Sequence, residues 1–449
     1  MISRLSRFFS KLMENYLPES YIFAIGLTLL TYILALIFVD IGPFELVGAW
    51  GDGLWQILNF AMQMMLILLT GHCLALSAPI QKLLNKIAKI AKTPKQAVFI
   101  VAFVAAIASW INWGFGLIVG GLLALQLAKH QRVHFPLLIA AAYSGFVIFH
   151  MGLSATAPLT SATAGNPANH VEKVFGMIIP ITESVFAWWN ILPAILILFT
   201  MPIILYMAYP KKKEEIITVD PTIIEDKPVI GSQNEAVGSR TFAQKLENSK
   251  LVNLVLVVFG VAYLFNHFAT KGFNLDINIV IGIFMFAGII LHKTPMNYAN
   301  AMKSAIKSSS GIALQFPLYG GIIGIMNTGL AVVIANWFLS ISTEHTFYLF
   351  QFLSAGVVNF FIPSGGGQWA AQGLITMEAA KGLGMDPAIS MMTVAWGDQW
   401  TNMIQPMWAL PILGMAGLKS NAIMGYTLLT LLWTGLIFGG MMILLAFIG

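Results

Sequence analysis

Long apolar segments separated by short charged runs succeed one another along most of the 449 residues. Segments near 20–39, 55–78, 135–165, 185–209, 251–268, 277–292, 309–327, 390–418 and 422–448 are long enough to cross a bilayer. A helix rises about 1.5 Å per residue against a hydrocarbon core of roughly 30 Å. Two further segments, near 97–128 and 346–382, are too long for one crossing and carry Gly, Pro or polar residues at their centres. Each is expected to be a helical hairpin that enters and leaves on one side.

The basic residues test that expectation. With the N-terminus in the cytoplasm and both long segments re-entrant, every one of the 24 Lys and Arg residues except Lys173, Lys271 and Lys381 falls on the cytoplasmic side. A crossing at 97–128 would split the basic loops between opposite compartments, against the positive-inside rule. The polar stretch 209–250, charged and poor in aromatics, reads as a flexible cytoplasmic linker. It divides the chain into a first half, 1–208 (hairpin 97–128, broken helix 135–165), and a second half, 251–449 (hairpin 346–382, broken helix 390–418). The first hairpin opens inward and the second outward, so the halves have inverted topology. The expected fold is an all-α polytopic membrane protein with two re-entrant hairpins and two broken transmembrane helices, an arrangement typical of secondary transporters.

Composition excludes the other broad classes. With 58% hydrophobic and 10% charged residues and a mean hydropathy of +0.80, the chain has no soluble reading. Its net charge of +5 follows the loops and forms no nucleic-acid patch. The apolar stretch at 20–39 is followed by no small-residue cleavage site and reads as a retained first helix. Cys73 stands alone, and neither a phosphate-cradling loop nor a His-Glu-x-x-His motif is present. An enzyme is not expected, and no cofactor is called for beyond a coupling ion, sodium or proton.

Chemistry is expected where apolar helices are interrupted, because backbone broken at membrane depth is tolerated only when buried in protein or lining a cavity. The hairpin tips are 110–116 and 363–368, and the broken crossings are 150–158 and 401–406. Helix starts at such breaks favour an anion, while freed carbonyls with Ser, Thr and Asn oxygens suit sodium. Glycine in membrane helices commonly serves close packing. Pro363-Ser364-Gly365-Gly366-Gly367 inside a re-entrant segment reads as a site instead, while Asn112, between two tryptophans, fits either. No Lys or Arg lies at the centre of a span, so the site suits a small, singly charged, partly apolar anion. The candidate substrate-binding residues are Asn112, Trp113, Gly114, Ser364, Gly365, Gly366, Gly367, Gln368, Asn402 and Gln405. The candidate cation ligands are Asn112, Ser154, Thr156, Ser364, Asp398 and Asn402. Asp398 reads equally as a sodium ligand, a proton carrier or a structural carboxylate at the outer mouth. His72 and His150, lone on apolar segments, read as satisfied core groups.

Several motifs together carry a family resemblance: Trp50-Gly51-Asp52-Gly53, Thr70-Gly71-His72, 111–117, Gly165-Asn166-Pro167, 292–296, Gln315-Phe316-Pro317, 363–369 and 405–411. Through them the chain resembles the bacterial short-chain fatty acid transporter family, a branch of the ion transporter superfamily. The resemblance implies uptake of short-chain monocarboxylates such as acetoacetate or butyrate across the inner membrane by cation symport. It also implies a homodimer with a fixed scaffold and a moving, elevator-type domain. Relatives bind sodium at Ser-Asn-Thr tips, a signature half present here in Ile111-Asn112-Trp113 and Pro363-Ser364-Gly365. A dicarboxylate carrier or a sodium/proton antiporter is the alternative. An intramembrane enzyme would need acid, base or metal ligands clustered on one cavity, and Asp398, His72 and His150 lie on scattered segments.

Overall fold

The computed structural model describes residues 8–9, 15, 20–56, 58–166, 168–219, 241–272, 277–363 and 365–448. Ser364, half of the expected linker (220–240) and the basic residues Arg4, Arg7 and Lys11 lie outside the described residues. Among the described residues every regular element is helical. Among the described residues, six helices are long and apolar enough to cross a bilayer.

Both long segments fold back on themselves. In the first, Thr93 and Gln96 form a capping box ahead of Pro94, which starts the arm Pro94–Ile111. Asn112 then adopts an extended backbone (φ −157°, ψ 129°) and its Oδ1 accepts from the amides of Gly114 (3.0 Å) and Phe115 (3.1 Å). One residue thus ends the first arm and caps the second, Trp113–His130. The antiparallel register follows from the side chains that meet. A Cβ on Gly116 would overlap Ser109, and one on Gly120 would come within 2.9 Å of Ala105.

The second hairpin joins Phe347–Phe361 to Gly365–Gly382. Buried amides staple its arms. Gln368 donates to the Ala355 carbonyl (2.8 Å), Gln372 to Ser354 Oγ (3.0 Å) and Gln351 to Thr376 Oγ1 (2.8 Å). In an apolar setting each such group needs a partner, so the ladder fixes the register.

The crossings expected to be broken are broken. The first runs as Phe135–Ser144, tightens to a 3-10 turn over Gly145–Met151, loses helical form at 152–155 and resumes over Thr156–Ser161. The second starts at Pro387 behind an Asp386 cap, ends at Thr401 and resumes over Met407–Ala409 and Leu410–Ala416. Around these four elements pack the last crossings of each half, Trp188–Ala208 and Asn421–Ile448. A second group of helices includes Pro43–Gln56 and Ser310–Ile325, which approach so closely that a Cβ on Gly53 would lie 2.5 Å from the Gly320 carbonyl oxygen. The sequence places a span at 309–327, and the helix does end there in a kink: Gly329, inside the turn Met326–Leu330, takes a non-helical backbone (φ +131°, ψ −13°), and a separate helix, Ala331–Ser340, follows.

The start of the expected linker is docked. Ile217 N donates to His134 Nδ1 (3.0 Å), Phe135 N donates to the Ile217 carbonyl (2.8 Å), and His134 Nε2 meets the Tyr426 hydroxyl (2.8 Å). Ile216 and Val219 pack on the core beside them. His134 precedes the apolar crossing, and burial pushes its imidazole down from the usual 6.5 to about 4. The unfolded chain takes up this proton near pH 6.5 and the folded chain resists it until about 4. The contribution to stability is therefore full above pH 6.5 and lost as pH falls through that window, by up to about 3 kcal/mol. Protonated Nδ1 also cannot accept from Ile217. Thermal unfolding of purified protein from pH 7 to 4.5 should show this loss, and His134→Asn should flatten it.

Candidate functional site

The first tip docks on the first break. Leu153 N donates to the Trp110 carbonyl (2.8 Å) and Trp113 N to Ser154 Oγ (3.0 Å). A Cβ on Gly152 would overlap the Trp110 backbone, so only glycine permits the approach. Trp113 meets Trp408 of the second break edge to face, with centroids 5.2 Å apart. Four sequence candidates, Asn112, Trp113, Gly114 and Ser154, therefore share this corner. There Asn112 Oδ1 is engaged as a helix cap.

The second tip docks on both breaks. A Cβ on Gly365 would overlap the His150 ring at Cε1 and Nε2, and Thr156 Oγ1 and Cγ2 border Gly365 and Gly366 at 3.4 Å from the corresponding Cβ positions. One arm further back, buried Asn359 donates to the Asp398 carbonyl (2.8 Å), Thr401 Oγ1 (2.9 Å) and Asn402 Oδ1 (2.9 Å). The breaks also bind each other. Tyr143 donates to the Asn402 carbonyl (2.6 Å), and His150 N donates to Gln399 Oε1 (2.8 Å). His150 Nδ1 lies 3.1 Å from the Ala395 carbonyl and 3.0 Å from Asp398 Oδ2. The N–H is aligned with the carbonyl, and the carboxylate flanks it, since neither Asp398 oxygen has an aligned donor.

The hydrogen-bond inventory shows what this corner has left to offer. Most freed carbonyls are engaged: Met151 O by Asn190 (3.0 Å), Asn402 O by Tyr143, and Met403 O by Thr427. Gln399 Oε1 accepts from His150 N, Asn402 Oδ1 from Asn359, and Gln405 Oε1 from Met407 N (2.6 Å). Those bonds fix which end is oxygen. The Gln405 side chain also hydrogen-bonds the Tyr319 hydroxyl, whereas Gln399 Nε2 and Asn402 Nδ2, three residues apart, are buried without partners. Unpartnered donors in an apolar interior are costly unless something accepts from them. Asp398 Oδ1 and Oδ2, Asn359 Oδ1 and Gln368 Oε1 are buried acceptors without partners in the same region, so it presents donors that suit an anion and acceptors that suit a cation.

Among the described residues no three His, Cys, Asp or Glu side chains come together as a metal-ligand set. A cation here would rest on hydroxyl, amide and carbonyl oxygens, with Asp398 as the nearby carboxylate. The structure thus groups Thr156, Gly365 and Gly366 at the second tip, with Asp398 joined through His150 and Asn402 through Asn359 of the hairpin arm, while Gln405 lies by Tyr143 and Tyr319. Gln368 faces into the hairpin, where it joins the arms. Sequence reasoning passed over Asn359, Gln399 and Tyr143 and read His150 as core. The signal that could have found Gln399 was its place beside Asp398 in the polar centre of 396–400.

Comparison with known proteins follows this geometry. A family model described as "Short chain fatty acid transporter" matches residues 1–445. A protein of Escherichia coli (strain K12) named "Putative short-chain fatty acid transporter" is 42% identical over 440 residues, covering 98% of each chain. One of the same name from Haemophilus influenzae is 42% identical over 443 residues, again with 98% of each chain covered. The crystal structure of the Alcanivorax borkumensis YdaH transporter, reported to have an unusual topology, aligns with a TM-score of 0.47. The identity is 16%, with 96% of this chain and 98% of that one covered.

Proposed function

Because the chain belongs to the short-chain fatty acid transporter family, we propose that it takes up short-chain monocarboxylates, such as butyrate or acetoacetate, by symport with sodium or a proton. The observation that carries this reading is the pair of orientation-fixed, unpartnered amide donors at Gln399 and Asn402, near a helix start at Gly365. Their dipoles with the helix-start amides suit one negative charge. With no Lys or Arg in the corner, a second carboxylate would be buried without a counter-charge, which is expensive.

In this proposal Gly365, Gly366, Asn402 and Gln405 hold the carboxylate from the second tip and break. A coupling cation would be held by oxygens of Asn112, Ser154, Thr156, Ser364, Asp398 and Asn402. Trp113 and Trp408 wall the apolar tail. The hairpins, broken crossings and last crossings move together against the group containing Pro43–Gln56 and Ser310–Ile325. The two halves act as an inverted repeat, in a homodimer in the inner membrane with the N-terminus cytoplasmic.

The test is competition. Uptake of labelled butyrate into proteoliposomes should be blocked by excess unlabelled butyrate and little affected by equal succinate. Equal block by succinate would favour a dicarboxylate carrier. Sodium-driven pH change in vesicles without any organic anion would favour an antiporter.

A further inference from the structure

A groove of about 450 Å³ lies between the first hairpin's arm Pro94–Ile111 and the last crossing of the first half, Trp188–Ala208. Ile90, Phe99, Ile100 and Ile203 line it, together with two residues that carry polar atoms, Gln96 and Tyr206. It is open on the outside, where Ile90, Ile203 and Tyr206 are exposed. One turn further along both helices, Phe103 meets Phe199 with ring centroids 5.6 Å apart and joins arm to crossing. In a bilayer an apolar groove of this size does not stay void, because its lining would forfeit contacts that a lipid tail supplies.

One end of the groove is basic. Lys95 Nζ stands 5.5 Å from the centre of the Tyr206 ring, so the ammonium group is held at the mouth. Lys89 and Lys92 precede it at three-residue spacing in the turn that leads into the arm, and no Asp or Glu occurs between Asp52 and Glu172. Beyond the crossing, Lys211 and Lys212 come before the first carboxylates, Glu214 and Glu215. Gln96 Oε1 accepts from Lys92 N (2.8 Å) and Thr93 N (3.2 Å), which makes Nε2 the donor end of that side chain. The 18-residue arm also begins here, with the partial positive charge of a helix start.

We propose that this groove binds an anionic phospholipid, with one acyl chain along Phe99, Ile100 and Ile203 and the phosphate among Lys92, Lys95 and Gln96 Nε2. The apolar lining and the basic mouth are continuous, and that is the shape of a phospholipid. Free phosphate would leave the lining uncovered, and a zwitterionic lipid would bring its own cation up to the lysines. A basic pocket between membrane helices selects the anionic headgroup for this reason.

The experiment offers phosphatidylglycerol and phosphatidylcholine with the same dioleoyl chains, in equal amounts, to the delipidated full chain in detergent, and reads the retained lipid by native mass spectrometry. The wild type should retain phosphatidylglycerol with about tenfold preference or more. Lys92→Gln with Lys95→Gln should bring that preference below about threefold. Lys250→Gln with Lys303→Gln, which removes the same charge from other basic loops, should leave it unchanged. Ile203→Trp, which fills the groove, should lower retention of phosphatidylglycerol while the lysines stay in place. Equal retention of both lipids by the wild type would overturn the proposal, as would an equal loss in the two lysine pairs, which would mean surface charge without a site. Displacement of the lipid by inorganic phosphate at equal concentration would show an anion site that does not use the groove, and would overturn it too. None of these outcomes depends on which acid the protein carries.

Discussion

Gly365→Ala is expected to lower uptake by roughly 100-fold while the protein still inserts and purifies normally, whereas Gly366→Ala is expected to remain active. The two glycines are adjacent and chemically identical. They differ only in what a methyl group would meet. At Gly365 it would overlap His150 Cε1 and Nε2, in a ring held by the Ala395 carbonyl and Asp398 and packed at a tilt against Phe149 with centroids 3.9 Å apart. At Gly366 it would find only Thr156 Cγ2 at 3.4 Å, an ordinary contact. The ring cannot yield without losing its Nδ1 bond, so the tip must back away. A displacement of about 1 Å at a positioned site costs on the order of 10²-fold. Initial rates of butyrate uptake, normalised to reconstituted protein, check the contrast. Equal activity in both variants would show that the tip does not need its observed seat on His150.

Asn359→Leu should be the most damaging single change away from the tip. The leucine is close in size, so packing is largely kept, but three bonds disappear together. The Asp398 carbonyl and Asn402 Oδ1 are left buried without that donor, and Thr401 Oγ1 keeps its bond to the Gly356 carbonyl (2.9 Å). Each orphaned group costs about 1–3 kcal/mol. The second hairpin would then be free to slip along the second crossing, and Asn402 would lose the bond that fixes its amide. The expected outcome is a fall in thermal midpoint, read in detergent with and without butyrate, and at least a tenfold fall in uptake. A variant with unchanged midpoint and uptake would remove Asn359 from the description of the site.

What could be read from the sequence had a local physical signature. The hairpins were legible because 32 or more apolar residues exceed one crossing and because the lysines around them agree on a side. The tip at 110–116 was legible from its glycines, but Asn112 itself, between two tryptophans, fitted close packing as well as a site. The breaks at 152–155 and 402–406 were legible from Gly, Ser and Pro in apolar surroundings. What escaped depends on contacts between residues far apart in the chain. His150 and Asp398 are separated by 248 positions, and nothing local to either distinguishes a partnered histidine from a core one. Asn359 lies within a hairpin arm and looks like any tolerated polar residue until the second crossing is laid against it. The docking of Ile217 on His134 was hidden because an apolar residue in a charged linker has no evident partner until the fold supplies one.

The most direct measurement of cation-coupled monocarboxylate uptake uses purified protein in proteoliposomes, with inward sodium and inward proton gradients imposed separately and labelled butyrate outside. One of the two gradients should drive accumulation above the equilibrium level, and the matching ionophore should collapse it. Butyrate that only equilibrates under both gradients, at the same rate as in protein-free vesicles, would contradict the proposal.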